Sequence, residues 1–123
     1  MTLTATDTRQ LFKDYVQAMA GQQKTEALLD RYITDPGLKE HIRQCEAAFP
    51  SYQITVNQAV VDGDLVACRM TFTGAHKGEF AGIPPTARII SSEFMIFYRF
   101  EEGRIAEHWI QMDMPGIVRQ LTA

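Results

Sequence analysis

The chain has 123 residues, 46% of them hydrophobic and 22% charged, which suits one globular domain and excludes a disordered segment. Its net charge of −3 and lack of any basic patch argue against nucleic acid or an anionic membrane surface as partner. No apolar run is long enough to span a bilayer, and the polar opening residues lack the basic-then-apolar order of a signal peptide. Cys45 and Cys68 sit in apolar patterns without metal-like spacing, so both read as reduced, buried thiols of a cytoplasmic protein rather than a disulfide. His41, His76 and His108 are far apart and show no paired ligand spacing, so no metal site is expected.

The first helix should start near Asp7 or Thr8, leaving residues 1–6 as a flexible tail, and carries Leu11, Phe12, Tyr15, Val16 and Met19 on one face. Gly21 ends it. A short second helix follows Thr25, with Leu28, Leu29, Tyr32 and Ile33 on its apolar side. Asp35-Pro36 reads as a cap followed by proline at the first helical position, and opens a third helix with Leu38, Ile42, Cys45 and Phe49 inward. Beyond Pro50 the period changes. Ile54–Val61 and Leu65–Thr73 flank the turn Asp62-Gly63-Asp64 as a hairpin. A Gly- and Pro-punctuated loop covers Gly74–Thr86, then come a long strand Arg88–Phe100, the turn Glu101-Glu102-Gly103, a last strand from Ile105 to about Asp113, and a short closing helix over Ile117–Leu121. Helices first and strands afterwards predict a single α+β domain over 1–123. Its four-stranded antiparallel sheet should curve over the helices as a cone and leave a cavity at the open end.

Three segments resemble a known family. They are Gly74-Ala75-His76-Lys77-Gly78-Glu79-Phe80-Ala81-Gly82-Ile83-Pro84-Pro85-Thr86, Tyr98-Arg99-Phe100-Glu101-Glu102-Gly103-Arg104-Ile105-Ala106-Glu107-His108-Trp109, and Asp113-Met114-Pro115-Gly116-Ile117-Val118-Arg119-Gln120-Leu121. Together they are similar to the SnoaL-like polyketide cyclases of the nuclear transport factor 2-like superfamily. The resemblance implies the cystatin-like α+β roll of that superfamily, a cone-shaped pocket, no cofactor, and a homodimer formed through the outer sheet face. It also implies intramolecular aldol ring closure by acid–base chemistry with an aspartate. Here the chain departs from the pattern: Ile110 follows Trp109 where the resemblance would put an acid, and only the second acid, Asp113, remains. The helical half is also short between Tyr32 and Leu38. Ketosteroid isomerase, another member of the superfamily, has its base near an aspartate-proline step, but Asp35-Pro36 is better explained as a helix cap.

Alternation divides the last strand into Glu107, Trp109, Gln111 and Asp113 on one face and Ala106, His108, Ile110 and Met112 on the other. The second, nearly apolar set is the expected cavity wall, with His108 as its titratable group. The candidate proton-transfer residues are His108 and Asp113, the latter either re-aimed by a bulge or serving as a cap or surface acid. The candidate substrate-binding residues are Tyr98, Ile96, Ile110, Met112, Phe72, Met70 and Tyr15, with Tyr98 offering a phenolic donor. Arg99 and Glu107 should pair across strands on the outer face, where Trp109 suits a dimer contact. His76 reads as a hydrogen bonder that organises its loop.

These features point to a pocket for a small apolar or aromatic carbonyl molecule. Three functions fit: a cofactor-free cyclase or isomerase; a non-catalytic binding or accessory protein, favoured by Ile110; and an interaction module that uses the doubly apolar strand Phe94–Arg99.

Overall fold

The computed structural model describes residues 3–123. Each of its first three helices starts at a side chain that satisfies the free N–H groups of the first turn. Helix α1 covers Ala5–Met19, α2 Glu26–Tyr32 and α3 Pro36–Ala48. At α1, the Asp7 N–H donates to Thr4 Oγ1 at 3.1 Å and the Thr4 N–H donates to Asp7 Oδ2 at 3.3 Å, a reciprocal capping box. Asp7 is therefore the third helical residue and not the cap, so α1 starts earlier than the sequence suggested. Of the six-residue tail expected there, Met1 and Thr2 lie outside the described residues, whereas Thr4, Ala5 and Thr6 belong to the cap and first turn. Thr25 and Asp35 cap α2 and α3. Inward faces follow the expected spacing: Phe12, Tyr15 and Met19 on α1, and Leu38, Ile42, Cys45 and Ala48 on α3 are buried.

Strands β1 (Gln53–Asp62), β2 (Leu65–Ala75), β3 (Ile89–Glu101) and β4 (Arg104–Met112) form one antiparallel meander in the order β1-β2-β3-β4. Helix α4, Met114–Thr122, closes the chain. The register lines the concave face with two cross-strand rows, Val56–Met70–Phe94–Met112 and Ala59–Cys68–Ile96–Ile110, and Val66, Tyr98 and His108 lie in the next. Irregular steps between Val56 and Gln58 and between Arg99 and Phe100 mark bulges, which bend a sheet and sharpen its twist. The opposite face carries the row Val60–Ala67–Phe97–Trp109. Arg99 pairs there with Glu107, as the alternation suggested. No described helix is long and apolar enough to cross a membrane.

Three connections fix the helices against the sheet. The N–H groups of Thr34 and Asp35 both donate to the carbonyl of Ile105, at 2.9 and 3.1 Å, so the α2–α3 junction is held on β4. Lys24 is buried, with Nζ 2.6 Å from the carbonyl of Tyr52, 3.8 Å from Glu46, and 3.7 Å from the centre of the Tyr52 ring. Burial pushes its pKa down to about 8 from 10.5, with the charge of Glu46 acting the other way. The third connection is the β2–β3 loop. Fully buried His76 accepts the Thr86 N–H on Nδ1 at 3.1 Å, while Lys77 and Gly78 donate their N–H groups to the carbonyl of Ala48. A side chain on Gly78 has no room, since a Cβ there would lie 2.1 Å from the carbonyl oxygen of Ala47.

Gly78→Ala should therefore lower unfolding free energy by on the order of 2–4 kcal/mol, measured by urea denaturation, because backbone rather than a flexible side chain must yield. Lys24 gives a pH signature. Its folded-state pKa lies below its unfolded value, so the unfolded chain holds the extra proton between about pH 8 and 10.5. Stability relative to Lys24→Met should thus shift in favour of the wild type as pH rises through that window, and urea curves at pH 7.5 and 10, roughly the ends of the window, measure the difference.

Candidate active site

Asp35 and His108 are 73 residues apart in sequence and meet at 2.6 Å, Oδ2 to Nδ1, where the start of α3 crosses β4. The carboxylate divides its two oxygens. Oδ1 accepts the N–H groups of Gly37 and Leu38 at 2.9 and 3.2 Å as the α3 cap, and Oδ2 takes the imidazole. Burial alone would raise the Asp35 pKa, but the hydrogen bond from His108 and those from the two backbone N–H groups outweigh it and hold the carboxyl below its usual range. An ionised carboxylate has no proton to give, so Nδ1 of His108 is the donor and Nε2 is the atom left for exchange. Both side chains are mostly shielded, at 16% and 13% exposure.

The His108–Asp35 pair adjoins a cavity between α3 and the concave face of the sheet. On the helical side the wall is Tyr15, Leu38, His41, Ile42 and Cys45; on the sheet side it includes Tyr52, Phe72, Ile96, Tyr98, Ile110 and Met112. His108 flanks this wall, two residues before Ile110 and directly opposite Tyr98 in the register. The cavity measures about 30 Å³, within about 420 Å³ of unfilled space counted out to the mouth. The cavity is therefore narrow in its present form.

Its polar groups are few and mostly neutral. Burial raises the pKa values of Tyr15, Tyr52 and Tyr98 above the ordinary phenol value, so all three remain protonated hydrogen-bond donors. Burial also pushes the Cys45 and Cys68 thiols up to about 12, the charge of Lys24 opposing the shift at Cys45, and both are free. His41 shifts the other way for an acid–base group: burial lowers its pKa, and the charge of His108 lowers it further. Its Nε2 lies 3.7 Å from Sγ of Cys45, one turn along α3. Among the described residues no group of three or more His, Cys, Asp or Glu is placed to hold a metal ion.

Of the residues expected at the site, Tyr15, Phe72, Ile96, Tyr98, Ile110 and Met112 line the cavity, and His108 stands at its edge. Two are elsewhere. Met70 is fully buried between Val56 and Phe94 and is packed into the core rather than the wall. Asp113 is exposed and caps α4, accepting the Gly116 N–H on Oδ1 at 3.0 Å; the strand ends at Met112, so no bulge turns this carboxylate inward. Two further residues join the candidate site. Asp35 reads in the sequence as a helix cap in preference to a base, and its second partner comes from a strand with no local signal. His41 was legible in principle, because it falls three residues after Leu38 and four before Cys45, on the inward face of α3.

Known proteins are similar to this chain in sequence and in fold. The sequence model of the family described as SnoaL-like polyketide cyclase matches residues 4–121. Aklanonic acid methyl ester cyclase AcmA of Streptomyces galilaeus is 38% identical over 58 residues, 47% of this chain and 40% of that protein. Nogalonic acid methyl ester cyclase of Streptomyces nogalater is 36% identical over 59 residues, 48% of this chain and 44% of that protein. Each match thus spans less than half of the curated relative's length. The crystal structure of AclR from Streptomyces galilaeus superposes with a TM-score of 0.82 over 97% of this chain and 98% of that one, at 24% identity, a likeness of fold. With the helix-backed curved sheet and its cavity, the match over residues 4–121 makes this chain a member of the SnoaL-like polyketide cyclase family.

Proposed function

We propose that this protein is an acid–base enzyme that cyclises or isomerises a small apolar or aromatic carbonyl compound. The observation that carries this reading is the 2.6 Å hydrogen bond from His108 to Asp35 beside an apolar cavity. Asp35 fixes the tautomer and orientation of the ring and stabilises the imidazolium whenever Nε2 holds a proton, the logic of an oriented acid–base pair. The phenols of Tyr15 and Tyr98 are hydrogen-bonded to each other, which leaves one neutral phenolic donor to bind a carbonyl oxygen as charge builds on it. Phe72, Ile96, Ile110 and Met112 exclude water from the same space. The names of the two cyclase relatives make a methyl ester of a polyketide acid the substrate class to try first.

A second reading rests on Ile110 and on the absence of any carboxylate from the cavity wall among the described residues: the chain binds such compounds without converting them. Two free, buried thiols favour a reducing compartment, in keeping with a cytoplasmic location. We also infer that two copies associate through the convex face of the sheet. Phe97 and Trp109 are about half exposed there, beside exposed Met95 and Val60, and aromatic and methionine side chains are enriched at such contacts.

Incubation with aklanonic acid methyl ester should give a ring-closed product, and His108→Ala should slow it by about 10²–10⁴-fold. Full turnover by that variant would dismiss the enzymatic assignment of His108. A raised melting temperature with unchanged ligand would favour the binding reading. Sedimentation should show a dimer that Trp109→Glu converts to monomer, and a wild-type monomer at every concentration would rule out the association.

A further inference from the structure

Among the described residues, His41 is the only member of the cavity wall able to take up a proton near neutral pH. The other titratable lining groups are the phenols of Tyr15, Tyr52 and Tyr98 and the thiol of Cys45, and burial holds all four in their protonated forms. His108 and Asp35 adjoin the wall without being part of the lining. A carbon acid bound in this space therefore meets one base directly. Nε2 of His41 faces only the weakly interacting Cys45 sulfur, and no hydrogen-bond partner of Nδ1 occurs among the described residues.

We propose that His41 removes the carbon-bound proton of the substrate, while His108, held by Asp35, gives a proton to the oxygen on which negative charge collects. This rests on the proton-transfer reading above and adds the base to it. In an aldol closure the C–H bond breaks, its electron pair passes into the adjacent carbonyl as an enolate, and the proton goes to His41. The enolate carbon then bonds to a second carbonyl carbon, whose π pair moves to oxygen, and that alkoxide takes the proton from His108. The cycle starts with His41 neutral and His108 protonated, ends with the reverse, and resets by exchange with water. The substrate class is thus a compound with two carbonyl groups, one enolised and one attacked. Partial burial and the charge of His108 both favour the neutral, proton-accepting form of His41.

The test uses propiophenone, a small aryl ketone whose α-hydrogens exchange slowly in neutral D2O, followed by proton NMR. Wild type should accelerate exchange, and His41→Gln should reduce that acceleration by about 100-fold or more while propiophenone still raises the melting temperature. The rate should fall on the acid side with a midpoint below the ordinary imidazole value of about 6.5. The titratable groups around His41 are Cys45, Tyr15, Tyr52 and Tyr98 in the wall and the His108–Asp35 pair beside it. Exchange undiminished in His41→Gln but lost in His108→Gln would overturn this assignment and leave the enzyme reading intact. No exchange by the wild type would overturn both. If His41→Gln does not fold, His41→Asn takes its place, and an acid midpoint at or above 6.5 in the wild type would count against His41 in either case.

Discussion

The organisation of this molecule depends on one carboxylate acting in two directions. Asp35 begins α3 by accepting two backbone N–H groups and, with its other oxygen, holds the imidazole of a residue near the far end of the chain. Its backbone N–H is bound to Ile105, three residues before that histidine, so Asp35 and His108 come from elements already locked together. The helix start, the last strand and the Asp35–His108 pair are thus one unit. The pair is held by groups that the fold needs for other reasons, which fixes its geometry tightly.

Around this junction the cavity is built from ordinary core residues. Alternation along β3 and β4 turns Ile96, Tyr98, Ile110 and Met112 inward, and the helical repeat of α3 turns Leu38, His41, Ile42 and Cys45 toward them. The same burial that makes the wall apolar also sets its chemistry. It keeps phenols and thiols protonated and the His41 ring neutral, so the polar groups in the cavity carry little charge at neutral pH. Charge is kept to the edge, where Asp35 has backbone donors and a histidine to balance it.

How much of this was legible beforehand follows from the range of each signal. Local periodicity located the helices and strands, because burial of one face is written into neighbouring residues; it also showed that His108 shares a face with Ile110 and Met112. Capping was read less well at α1, where Thr4 and Asp7 form a reciprocal box and the acid was mistaken for the cap. The role of Asp35 beyond its helix could not be read locally, since cap residues look the same whether or not a distant ring uses the second oxygen. Asp113 shows the converse. It has the residue type that the family resemblance calls for, but the strand ends one residue before it and its carboxylate serves α4. Met70 faces inward as expected, yet facing inward does not separate the core from the cavity wall; that depends on what the helices cover.

The narrowness of the cavity bears on how a guest gets in. The cavity measures only about 30 Å³, less than a single aromatic ring occupies. Uptake must therefore begin with a rearrangement of the rings and aliphatic chains that now meet across the space, and the closed form competes with every ligand. Apparent affinity is reduced by the rarity of the open form. At high ligand concentration the rate of association should level off at the speed of that opening, and substitutions that make the wall side chains smaller would tighten binding without adding a contact.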